Sequence, residues 1–226
     1  MSADLTFTAA MVQMRTGLLS GHSLEQGTKL IREAAAQGAD YVLTPEVSNM
    51  MQVNRKALFE HFASEEDDLS LKAYRALAAE LKIYLHIGSL ALRASAERAV
   101  NRSFLIGPDG NVIASYDKIH MFDIDLGGGE SYHESANYQP GETAVLADLP
   151  WGRIGLTICY DVRFPALYRA LAEGGATETG VFLAKIDPAK VETARKTVPS
   201  LQHGRRFGVA DPKAGPEHLH LVRGSA

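Results

Sequence analysis

Cysteine and tryptophan each occur once in these 226 residues, and no apolar run approaches the ~20 residues of a membrane span. A single thiol excludes an internal disulfide framework and fits a reducing compartment. Net charge is only −4, which argues against nucleic acid or an anionic membrane as the main partner. The N-terminus shows no basic segment followed by an apolar stretch, so no export leader is read and the cytoplasm is the expected location. What remains is ordinary globular material, 46% hydrophobic and 22% charged, in a chain long enough to bury a large core. There is no repeat, coiled coil or long linker.

Strands and helices alternate, which predicts an α/β fold. Strands are expected over Phe7–Met14, Tyr41–Leu43 and Ile83–Leu90, the last apolar enough to be covered on both faces. Helices are expected over Ser23–Gln37, with Ser23 as N-cap and Gly38 as terminator, then over Asn54–Phe62 and Asp67–Leu81. Arg102–Ile106 and Val112–Tyr116 read as a hairpin around Pro108-Asp-Gly-Asn111. Ile154–Cys159 reads as a strand, Pro165–Ala172 as a helix, Val181–Ile186 as a strand and Pro188–Lys196 as a short helix opening on proline.

The lone thiol, Cys159, stands where an apolar strand runs out before a helix. There a turn exposes the sulfur and aims backbone N–H groups at one point. Glu46 follows Tyr41-Val-Leu-Thr-Pro45, and Lys118 follows the strand ending at Tyr116. All three sit just past strand ends, where α/β scaffolds gather reactive groups on loops. Taken singly each has a plain explanation: a small buried apolar cysteine, a solvated loop acid, a surface lysine. The joint pattern carries the argument.

That pattern resembles the nitrilase superfamily of carbon–nitrogen hydrolases, whose catalytic residues are Glu, Lys and Cys in chain order. The matching stretches are Leu43-Thr-Pro-Glu46, Tyr116-Asp-Lys118-Ile-His-Met-Phe-Asp123 and Gly155-Leu-Thr-Ile-Cys159-Tyr-Asp-Val-Arg163-Phe-Pro165. Glu134, shortly before Pro140-Gly, matches a further acid of the family. The resemblance implies a four-layer α-β-β-α sandwich and a cysteine amidase. Its substrate would be a small ω-amide bearing a carboxylate, as in the branch acting on deaminated glutathione and α-ketoglutaramate. Glu46 would be the base, Lys118 and the Tyr160 backbone N–H the oxyanion donors, and Glu134 an orienting acid. Arg163 is a candidate for a substrate carboxylate, with pairing to a structural acid such as Asp161 as its plain alternative. No metal or organic cofactor is implied, and a homodimer or higher homo-oligomer is, through helices near the cysteine and a C-terminal segment. Here that segment is Thr197–Phe207, which reads equally as a solvated basic tail.

One departure matters. After the helix ending at Ala172 the chain passes through Glu173 to Gly180 and straight into Val181, whereas the family interposes strands, a loop and a helix. The expected fold is therefore incomplete after residue ~175: a single domain over residues 1–210 with an internal gap, then a polar tail over 211–226. His218 and His220 in that tail lack a third ligand for a metal. The shortening is expected to leave an edge of the Cys159 strand unpaired unless Val181–Ile186 moves in, with a loss of stability. Three other readings stay open: a Cys–His hydrolase using His120, a binding or scaffold protein on the same fold, and a poorly folding remnant.

Overall fold

The computed structural model describes residues 6–52, 54–127 and 129–176, with Glu130 and the strand segments 207–210 and 220–222 described by backbone alone. Two sheets carry the architecture. The first has five strands in the order β1 (Ala9–Met11), β2 (Tyr41–Leu43), β3 (Tyr84–Arg93), β4 (Ala99–Ile106) and β5 (Val112–Asp117). The first three run parallel and the last three antiparallel. The second sheet is built on β8 (Thr143–Leu149) and β9 (Gly152–Leu156), with β10 (Phe207–Ala210) parallel to β8 and β11 (His220–Val222) beyond it. A separate hairpin, β6 (Asp123–Gly127) and β7 (Glu130–His133), stands between them in sequence.

Alternation along the strands explains the layers. Phe104 and Ile106 of β4 join Leu85 and Ile87 of β3 against helices α1 (Ser20–Ala36) and α3 (Leu69–Leu81), through Ile31, Tyr74 and Leu77. Leu105, between the two, points the other way and packs with Tyr116 on Ala144, Leu146 and Leu156 of the second sheet. That sheet's core continues into Leu167 and Leu171 of α4 (Pro165–Glu173). Leu171 lies so close to β9 that a β-carbon on Gly155 would meet it at 2.7 Å. Helix, sheet, sheet and helix thus form the expected sandwich, each fully buried aliphatic side chain contributing roughly 1.5–3 kcal/mol.

The short helix α2 (Arg55–His61) is capped by Asn54, whose side chain accepts from Ala57 N, and α3 by Asp68, which accepts from Leu71 N. Gly38 ends α1 at φ +88°, as its sequence suggests. Ser23 is not an N-cap: α1 begins three residues earlier, and the buried Ser23 hydroxyl accepts from Gly17 N instead. The first strand is shorter than Phe7–Met14, and β3 and β4 are longer than expected because each is covered on both sides. The nucleophile strand stops at Leu156, before Cys159. Among the described residues the second sheet ends at β9, which pairs with β8. Part of the C-terminal stretch read as a tail is strand: His220–Val222 pairs antiparallel with β10. The expected strand Val181–Ile186, the helix Pro188–Lys196, the segment Thr197 to Arg206 and His218 lie outside the described residues.

Candidate active site

Glu46 leaves the first sheet at the carboxyl end of β2. Thr44 N still bonds His86 O at 3.0 Å, after which Pro45 turns the chain away. The loop is stapled to β3 by Val47 N to Ser89 Oγ (2.7 Å), Ser48 N to Ser89 O (2.8 Å) and Ser48 Oγ to Thr44 Oγ1 (2.8 Å). A β-carbon on Gly88 would sit 2.2 Å from Thr44 O, so only glycine admits this approach. The β3–β4 register slips between Ile87 and Leu90 beside it. Val47 is held at φ +52°, a left-handed conformation that a β-branched residue adopts only under constraint.

Lys118 follows β5 directly. Its N–H bonds Asn101 O at 2.9 Å and its carbonyl accepts from Gly141 N at 2.8 Å, so the backbone is clamped from both sides. The side chain is 2% exposed. Its ammonium lies 2.9 Å from Glu46 Oε1 and 2.9 and 3.1 Å from the two oxygens of Glu134. Burial works against that charge, but the carboxylates of Glu134 and Glu46 outweigh it and hold the Lys118 pKa above the ordinary lysine value. Glu134 follows β7, and its Oε2 also accepts from Phe122 N at 2.7 Å. The Arg55 guanidinium pins the turn after it through Ala136 O and Asn137 Oδ1.

Cys159 opens a single 3₁₀ turn, Cys159–Arg163, at φ +45°. The turn is organised from beneath by Asp161, fully buried, which accepts from Ile158 N (2.9 Å), Tyr116 Oη (2.7 Å), His120 N (3.1 Å) and His120 Nδ1 (2.7 Å). The thiol is exposed to a cleft of about 440 Å³ that Glu46, Lys118, Glu134 and Asn101 also line. Desolvation at the cleft floor, and then the negative charge of Glu46 to which the thiol is hydrogen-bonded, push its pKa up to about 11; the Lys118 charge pulls the other way. The sulfur therefore rests as a thiol at neutral pH, with the Glu46 side chain beside it.

Glu46, Lys118, Glu134 and Cys159, separated by up to 113 positions in the chain, thus share one cavity. Tyr160 follows Cys159 in the turn, and its ring is buried against Phe122 and Phe164, outside the cleft lining. Arg163 is exposed and lies outside the cleft lining. His120, the candidate base of the Cys–His alternative, is 1% exposed, bonded to Asp161 and stacked on Phe164 at 3.6 Å; it does not line the cleft. One residue and one hairpin escaped sequence reasoning. Asn101, whose amide reaches Glu46 Oε1 at 2.8 Å and Glu134 Oε1 at 3.3 Å, lies one residue before the expected strand Arg102–Ile106 and drew no notice. The β6–β7 hairpin, whose Ser131, Tyr132 and His133 form one wall, gave no clear alternation.

The profile of the family described as carbon-nitrogen hydrolase matches residues 8–179. The chain belongs to the carbon-nitrogen hydrolase family. Within it, the chain is 36% identical over 171 residues to the deaminated glutathione amidase of Yersinia enterocolitica, covering 74% of this chain and 59% of that protein. It is 33% identical over 195 residues to human omega-amidase NIT2, covering 85% and 70% respectively. Among solved structures, the C. elegans NitFhit protein superposes with a TM-score of 0.68 at 30% identity, over 75% of this chain and 42% of that one. The chain thus spans less than two thirds of the Yersinia and nematode proteins. The nitrilase-type fold is shared with these carbon-nitrogen hydrolases. Among the described residues no helix is long and apolar enough to cross a membrane.

Proposed function

We propose that this cleft hydrolyses the terminal amide of a small carboxylate-bearing substrate through a cysteine thioester. The observation that carries the reading is the Lys118 ammonium held between Glu46 and Glu134 in the cavity onto which Cys159 opens. The names of the relatives, a deaminated glutathione amidase and an omega-amidase, support an ω-amide as substrate.

Glu46 takes the thiol proton as the sulfur attacks the amide carbon, and the carbonyl π pair moves onto oxygen. The Lys118 ammonium and the Tyr160 N–H stabilise that oxyanion; loss of one such donor commonly lowers the rate ~10²–10³-fold. Glu46 then gives its proton to the departing nitrogen, the C–N bond breaks, and ammonia leaves a thioester. Water attacks the thioester as Glu46 takes a proton from it. Collapse expels the thiolate, which recovers that proton, and the free acid departs. Glu134 holds the ammonium in place throughout.

The test is ammonia release from a panel of ω-amides of dicarboxylates, set beside simple neutral amides, with intact-mass detection of an acyl adduct. Release and adduct that both vanish in Cys159→Ala are expected. Release that persists in that variant removes the nucleophile assignment. No release from any amide by the native chain favours a binding role for the cleft.

A further inference from the structure

We infer that Asn101 is a positioning residue that commits one oxygen of Glu46 and leaves the other to take the thiol proton, an inference that rests on the hydrolase reading above. Asn101 lies on β4, 2% exposed, at the back of the cleft. Its amide nitrogen donates to Glu46 Oε1 at 2.8 Å and toward Glu134 Oε1 at 3.3 Å, while its main-chain carbonyl accepts from Lys118 N at 2.9 Å. One residue therefore touches all three charged members of the site. Glu46 Oε1 already receives the Lys118 ammonium at 2.9 Å, so ammonium and amide together occupy its lone-pair directions. Oε2 is the oxygen left for Cys159.

A second observation separates this from ordinary packing. The buried Asn101 Oδ1 meets no hydrogen-bond partner among the described residues. Rotating the amide by half a turn would face that carbonyl toward two carboxylates, so the observed orientation is enforced by Glu46 and Glu134 even though it strands an acceptor. An asparagine kept only for structure would satisfy both ends; an unsatisfied buried carbonyl is destabilising, and such conflicts concentrate at functional sites.

The consequence is a specific effect on how Glu46 meets the thiol. Without the Asn101 amide, Glu46 Oε1 keeps only Lys118, the carboxyl group is free to turn, and its hydrogen bond to Cys159 loosens. The charged groups that act on Cys159 are Glu46, Lys118 and Glu134, and neither Asn101→Ala nor the near-isosteric Asn101→Leu replaces any of them. The experiment follows iodoacetamide alkylation of Cys159 against pH in the native chain and both variants, with thermal melts confirming folding. That hydrogen bond is one of the causes that hold the thiol pKa up, so the alkylation midpoint should fall in both variants. On an ω-amide, kcat should fall about 10²-fold with KM little changed. A midpoint that stays at the native value in both variants, or in Asn101→Leu if the alanine variant does not fold, overturns the inference. Alkylation needs no turnover, so an inactive native chain would sink the hydrolase reading while leaving this test intact.

Discussion

Asp161 Oδ1 accepts from both the main-chain N–H and the ring Nδ1 of His120, at 3.1 and 2.7 Å. Its other oxygen takes Tyr116 Oη and Ile158 N. The loop that carries Lys118 and the turn that carries Cys159 are therefore fastened to one fully buried carboxylate. Asp161→Ala strands four donors, and removing one member of such a buried charged network typically costs about 3–5 kcal/mol. In a chain of this size that corresponds to a melting temperature lower by on the order of 10 °C. A variant that melts within a degree or two of the native chain would show that the two loops do not depend on this anchor.

Gly88 offers a sharper separation of site from scaffold. An added β-carbon would lie 2.2 Å from Thr44 O and 2.7 Å from Pro45 C and O, all backbone of the Glu46 loop. Gly88→Ala should displace Glu46, lowering kcat/KM by about 10–100-fold and stability by roughly 1–3 kcal/mol. Gly38→Ala is the control: φ is +88° but nothing lies within 4 Å, so about 1 kcal/mol of backbone strain should appear without loss of catalysis. Equal rates in both variants would mean the close approach at Gly88 does not hold the base.

How much of this was visible in the chain follows from where each signal originates. Tyr41-Val-Leu-Thr-Pro-Glu46 announces a short strand, a break and an acid, and the structure has all three. The position of Cys159 past a strand end was legible, but not its left-handed backbone. That φ of +45° comes from a turn whose geometry is set by Asp161 and by loops 40 residues away. Ser23 failed as a cap because its hydroxyl answers a tertiary partner, Gly17 N, which no local pattern encodes. Asn101 was invisible for the same reason, since its two carboxylate partners are brought together only by folding. In the β6–β7 hairpin Ile124 is buried while Asp125 and Leu126 beside it are exposed, too short a pattern to read as alternation.

The resting state of Cys159 leads to a further expectation. With a pKa near 11, alkylation by iodoacetamide should climb through a midpoint far above the ~8.5 of a free thiol. The direction of a change is also fixed: burial raises the value first, the Glu46 charge raises it further, and Lys118 opposes both. Glu46→Gln removes a raising charge, so the alkylation midpoint should move down while amide hydrolysis is lost. Mass-spectrometric alkylation rates between pH 7 and 11.5 measure both chains. A native midpoint at or below 8.5 would contradict the proton-on-sulfur resting state and leave Glu46 without a proton to collect.

The buried ring of His86 supplies a pH dependence of stability rather than of rate. Ser103 Oγ donates to Ile87 O at 3.0 Å, so the ring Nε2–H, 2.8 Å away, donates to Ser103 and Nδ1 accepts from Tyr41 Oη at 2.5 Å. Burial lowers the His86 pKa from 6.5 to about 4, since an imidazolium there would lose its hydration and face the Tyr41 hydroxyl with a second N–H. As pH falls below 6.5 the unfolded chain takes up this proton first. Stability from the neutral ring is therefore complete above pH 6.5 and drains away down through pH 4. The shift corresponds to about 3 kcal/mol over that window. His86→Gln keeps hydrogen-bonding groups but cannot titrate, so the native advantage over it, measured by denaturant unfolding at pH 7, 5.5 and 4, should shrink by about that amount. An advantage that stays constant across the three pH values would mean that the ring is protonated in the folded chain, or that acid opens this part of the sheet before the ring must titrate.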